Sequence, residues 1–189
     1  MRRFEHCLLI VSAVVGAWLG MQQVHELGHV LAAKATGGTV ARVVLHPLSL
    51  SRTDLADNPQ PLWVAWAGPV FGVGAPLGLW LCVRGLRLRW AFLGRFFAGF
   101  CLVANGLYLG VGSWEGIGDA GDILRLGSPC WLLWLFGLLT VPAGFCLWHR
   151  QGEHFGWGPS ARRLDRAAAY GSLVVCLLLA ALGFWCGGG

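Results

Sequence analysis

Five apolar stretches, near residues 7–33, 61–83, 91–112, 130–148 and 168–186, constrain this chain more than any other feature. Each approaches or exceeds the roughly 20 residues that an α-helix needs to cross a bilayer. Backbone polar groups in hydrocarbon must find partners within their own segment, so runs of this length predict helices. Composition agrees: 56% of the 189 residues are hydrophobic and only 12% are charged, about half the charge of a soluble domain. The expected fold is an all-α polytopic membrane protein of about five transmembrane helices, one membrane-embedded domain over 1–189. The first span follows Met1-Arg2-Arg3 as a signal peptide would. Its apolar run continues into Gln22 and Gln23 with no small-residue cleavage pattern, so the span is expected to be retained.

The segment from Ala35 to Gln60 changes character. Gly37-Gly38 ends a helix, and Thr39 to Leu45 is rich in β-branched residues. Leu48-Ser49-Leu50-Ser51-Arg52 then alternates with period two, so two short strands are expected, separated by Pro47 and forming a β-ribbon at the membrane surface. Asp57-Asn58-Pro59 reads as a turn. The formal charge of +5 comes from 14 Lys and Arg against 9 Asp and Glu. These basic residues sit in short clusters between apolar runs and form no stripe, which excludes a nucleic-acid surface. Ten of them lie at the N-terminus, in 84–95 and in 150–166, and four on the other side. The positive-inside rule therefore places the N-terminus in the cytoplasm. The seven Cys are irregularly spaced within apolar runs, which fits neither a disulfide framework nor a cysteine metal site.

His25-Glu26-Leu27-Gly28-His29 reads H-E-x-x-H. On a helix, positions i and i+4 share a face, so two imidazoles can grip one metal ion from adjacent turns. A zinc ion there lowers the pKa of its water to about 7, and the neighbouring Glu26 is placed to take the proton. The alternative is a polar cluster that only packs helices together. Burying two His and a Glu in an apolar helix is costly, which favours a functional site. A third protein ligand is required. His25 and His29 lie near the far end of the first span, and the third span, running the same way, delivers Asp119 and Asp122 to that end. Either carboxylate suits the role.

These motifs resemble the site-2 protease family of intramembrane zinc peptidases over about residues 15 to 126. Beyond H-E-x-x-H in a transmembrane helix and the Gly-Gly turn with its ribbon, Ala67-Gly68-Pro69 resembles the family's Ala-Gly-Pro motif. Gly118-Asp119-Ala120-Gly121-Asp122-Ile123-Leu124-Arg125 resembles its Asp-Gly-Gly-Arg-Ile-Leu segment. The resemblance implies His25, His29 and Asp119 as zinc ligands and Glu26 as the catalytic base. It implies a metalloprotease-like core over 7–126, with 127–189 as additional helices. Asn105 corresponds to the family's asparagine, although the following Pro is missing and Ala120 replaces a Gly. Family members generally keep the metal towards the cytoplasm, whereas the charge bias here points it the other way.

The expected function is an intramembrane zinc endopeptidase acting on membrane-protein or membrane-peptide substrates within the lipid bilayer. Asn105 is a candidate for holding a substrate carbonyl, or for bonding a neighbouring helix. Leu48, Ser49 and Leu50 are candidates for pairing with an extended substrate at a strand edge, or for merely capping the helices. Gln22 and Gln23 are candidates for hydrating the site. His46 reads as an interface residue, and His149 and His154 fall on the opposite side. A metal-ion carrier would use the same ligands but has no need of Glu26, and a non-catalytic zinc-binding scaffold would not need it either.

Overall fold

The computed structural model describes residues 2–157 and 164–187; Arg162 and Arg163 of the basic loop lie outside them. Among the described residues, five helices are long and apolar enough to cross a membrane. They are α1 (Arg2–Ala35), α2 (Pro61–Gly85), α3 (Ala91–Glu115), α5 (Cys130–Trp148) and α6 (Arg166–Gly187), with a short α4 (Gly118–Arg125) between α3 and α5. Strands β1 (Thr39–Val44) and β2 (Arg52–Asp57) form an antiparallel ribbon between α1 and α2. Large apolar side chains such as Leu138, Leu139, Phe145, Leu177 and Leu178 are exposed on the outer faces, as a lipid-facing surface requires.

Local chemistry explains most of the helix ends. Gly37, at φ +82, closes α1. The Gly38 amide donates to the Ala33 carbonyl at 2.8 Å and the Gly37 amide to Lys34 at 3.3 Å, a Schellman closure. Pro61 opens α2, where its missing N–H costs nothing. Gly116, at φ +63, ends α3 and turns the chain into α4. Ala120 and Ile123 of α4 are fully buried against Leu109, Leu133 and Ala65, so this short helix is pinned by its apolar face.

Small residues set the close packing. Gly137 and Gly144 of α5 approach the backbone of Gly106 and Gly99 on α3, the small-residue contact by which membrane helices associate. Helix α6 lies along α1, with Ser12 and Ser172 sharing a hydrogen bond of 2.6 Å. At the end away from the ribbon, Arg166 pairs with buried Glu5 at 2.9 Å, Arg89 with Asp165 at 2.6 Å, and Arg95 donates to the His149 carbonyl at 3.2 Å. The start of α1, the α2–α3 turn and the described flanks of the 150–166 loop therefore share one end of the molecule, as the alternation of five spans implies.

Two sequence expectations need correction. The second strand was expected over Leu48 to Arg52, but it begins at Arg52 and runs to Asp57, and Leu48 to Ser51 belong to the connection. Pro47 lacks an amide for the ladder, and the chain after it folds on itself: the Ser49 amide donates to the His46 carbonyl at 3.0 Å. Pairing resumes only where Arg52 and Thr53 meet Val44 and Val43. The stretch carrying Asp119 and Asp122, for which the sequence suggested no helix or strand, forms α4.

Candidate metal centre

Four elements converge at the ribbon end of the bundle. His25 and His29 project from one face of α1, Asn105 and Tyr108 from α3, and Asp119 from the first turn of α4, while β2 lies over Glu26. The Nε2 of His25 stands 2.7 Å from Asp119 Oδ2 and 3.2 Å from His29 Nε2, and His29 Nε2 stands 3.3 Å from the same carboxylate oxygen. Asp122 turns away, exposed, to pair with Arg125. Of the two carboxylates that the sequence left open, Asp119 is the one brought to the imidazoles.

The outer partners determine which ring nitrogens carry protons. His29 Nδ1 donates to the Val64 carbonyl at 2.7 Å, because a carbonyl can only accept. Asn105 Nδ2 donates to the Cys101 carbonyl at 2.9 Å, which leaves its Oδ1 to accept from His25 Nδ1 at 2.7 Å. Both neutral imidazoles consequently present bare Nε2 lone pairs towards a carboxylate. Three acceptors so close repel one another unless a cation, metal or proton, lies between them. Ligands about 2.1 Å from a tetrahedral zinc stand about 3.4 Å apart, close to two of the three separations here. The donor set therefore fits zinc, and an Nδ1–H bonded outward is the usual way a ligating histidine is oriented.

Helix α2 reaches this centre through missing side chains. A Cβ on Gly68 would stand 2.2 Å from His29 Nε2 and 2.8 Å from His25 Nε2, and one on Gly28 would stand 2.5 Å from the Ala67 carbonyl. Gly68 belongs to the Ala-Gly-Pro motif, whose part in the site is thus to leave room for two imidazoles. Pro69 withholds the N–H that the Ala65 carbonyl would otherwise accept, loosening the helix beside the Val64 carbonyl that takes His29.

Glu26 is 4% exposed. Its Oε2 accepts from the Thr53 hydroxyl of β2 at 2.7 Å. One helical turn earlier, Gln22 Oε1 accepts from the Ser51 amide at 3.2 Å, so β2 and the residue before it run along the α1 face that carries Glu26. A cleft of about 1180 Å³ opens here, lined by the centre, by Arg52 to Leu55 of the ribbon, and by apolar side chains including Met21, Leu107 and Val111.

The other expected residues are distributed unevenly. Leu50 lines the cleft, while Leu48, 86% exposed, and Ser49 do not. Asn105, expected to hold a substrate carbonyl or to bond a neighbouring helix, is 1% exposed and bonded to His25 of α1 and to Cys101. Gln23 donates to the Leu179 carbonyl of α6 at 2.8 Å, so only Gln22 faces the cleft. His46 meets Phe184 edge-on, and His154 stacks on Phe92 at the far end. Sequence reasoning missed Thr53 and Tyr108. Tyr108 follows Asn105 by three residues and so shares its helix face, which is the one signal that pointed to it. No family model, curated protein or solved structure matches the chain.

Proposed function

We propose that this chain is a membrane-embedded zinc endopeptidase that hydrolyses peptide bonds of membrane-protein or membrane-peptide substrates. The carrying observation is the convergence of His25 Nε2, His29 Nε2 and Asp119 Oδ2, all within 3.3 Å of one another, beside a buried Glu26. Zinc held by these three groups would polarise the substrate carbonyl and acidify the attacking water. Glu26 takes the proton of that water and delivers it to the leaving amide nitrogen. Thr53 holds one Glu26 oxygen by its hydroxyl and so leaves the other for the proton. Asn105 acts through His25, whose tautomer it fixes, and is a positioning residue rather than a substrate ligand.

The cleft accommodates an extended segment better than a helix, because a helix hides its peptide bonds in internal hydrogen bonds. Unwound substrate lies against the ribbon, where β2 and Leu50 line the cleft together with apolar side chains of α3. A strand edge supplies backbone pairing that does not depend on side-chain sequence. The membrane is the cell or cytoplasmic membrane, with the N-terminus inside as the charge distribution favours.

Metal analysis of the purified chain beside Glu26→Gln tests the mechanism. About one zinc per chain in both proteins, with peptidase activity lost in the variant, is the expected result. Wild-type cleavage by Glu26→Gln removes the proposed base, and a chain purified without metal removes the zinc centre.

A further inference from the structure

One aromatic side chain joins the two halves of the metal centre. Tyr108, one turn along α3 from Asn105, presents its ring edge to His25 with centroids 5.8 Å apart. Its hydroxyl accepts the backbone N–H of Asp119 at 3.0 Å. That amide belongs to the first turn of α4, where helix N–H groups have no partner within the helix. No α4 side chain caps this end, and Ile117 at the preceding position cannot. The hydroxyl of a residue on another helix does so instead.

Gly118 independently marks the same contact. It lies at φ +56, and a Cβ there would stand 2.1 Å from the Tyr108 hydroxyl oxygen. Glycine is thus demanded twice, by the left-handed backbone and by the oxygen packed against it. Asp119 follows immediately, so a displacement of this turn moves the carboxylate directly.

We propose that Tyr108 is the positioning residue for the third metal ligand: its hydroxyl anchors the first turn of α4, and its ring braces His25 opposite. This deepens the zinc reading and rests on it for its catalytic meaning. The anchoring itself is a property of the chain without metal. Asn105 and Tyr108 together make one face of α3 the template on which His25 and Asp119 are registered. Losing an outer partner of a metal ligand typically weakens metal binding by about 10–100-fold.

The test uses the full chain in detergent or nanodiscs, with Tyr108→Phe, which keeps the ring and removes only the oxygen. Amide hydrogen exchange across 117–125 is measured without metal, and zinc affinity by competition with a chelator. The expected result is roughly tenfold faster exchange at the Asp119 amide and a zinc Kd raised about 10–100-fold, with the melting of the spanning helices unchanged. If Tyr108→Phe fails to fold, Gly118→Ala puts a methyl against the same oxygen and is expected to raise exchange over the same residues. Unchanged exchange at Asp119 in whichever variant folds overturns the proposal. Because exchange is read without metal, that outcome is distinct from failure of the zinc centre, which the Glu26→Gln and metal measurements detect.

Discussion

At the scale of single residues, the site separates groups that a motif names from groups that only the fold brings in. His25, Glu26 and His29 are legible because a helix forces i and i+4 onto one face. Asp119 was legible through the direction of the third span and a resemblance, with Asp122 left as a rival. Asn105 was singled out with two roles open, and its contact with His25 of α1, 80 positions away, is the bond to a neighbouring helix. Thr53 carried no signal, because nothing in a strand sequence says which helix carboxylate it will meet. Its hydroxyl donates to Glu26 Oε2, and a hydrogen bond to a charged group is worth about 1.5–3 kcal/mol. Thr53→Val keeps the shape and removes the donor, so kcat is expected to fall about tenfold or more with zinc content unchanged. Thr53→Ser restores the donor and should recover most of that rate. Equal rates in Thr53→Val and wild type would show that Glu26 needs no such support.

At the scale of elements, the long helices were legible and the short ones were not. Apolar length alone defines α2, α3, α5 and α6 to within a few residues. Helix α4 has eight residues, too few for periodicity to speak against the glycines that surround it. Strand β2 was displaced because the alternation of Leu48 to Arg52 imitates a strand, while Pro47 and the turn after it consume those residues. The Ala-Gly-Pro motif shows how an element can serve the site by absence. Gly68→Ala puts a carbon 2.2 Å from His29 Nε2, so an imidazole must rotate away or α2 must retreat. Zinc affinity measured against a chelator is expected to drop at least 100-fold. Gly74, on the same helix with nothing within 4 Å of its would-be Cβ, supplies the control, and Gly74→Ala should bind zinc as the wild type does. Equal affinity in Gly68→Ala and Gly74→Ala would mean that the close approach of α2 plays no part in the centre.

At the scale of the whole molecule, the question is which way the cleft faces. Glu5–Arg166, Arg89–Asp165 and Arg95 on the His149 carbonyl gather at one end of the bundle. The ribbon, α4 and the metal centre occupy the other. Ten of the chain's 14 basic residues belong to the first end by sequence, and the retention of Lys and Arg in the cytoplasm predicts that this end is the cytoplasmic one. The cleft is then expected to open on the non-cytoplasmic side, and the proposed cleavage to take place near that face. Single cysteines placed in a background lacking the seven native ones decide the matter. Leu48→Cys lies in the ribbon connection and Leu86→Cys in the α2–α3 turn, at positions 86% and 71% exposed. In intact cells a membrane-impermeant maleimide should label Leu48→Cys, and should reach Leu86→Cys only after permeabilisation. The reverse pattern would mean that the ten basic residues at the first end do not decide the orientation. Topology would then be set by something other than the charge of the short loops, while the arrangement of His25, His29 and Asp119 would be unaffected.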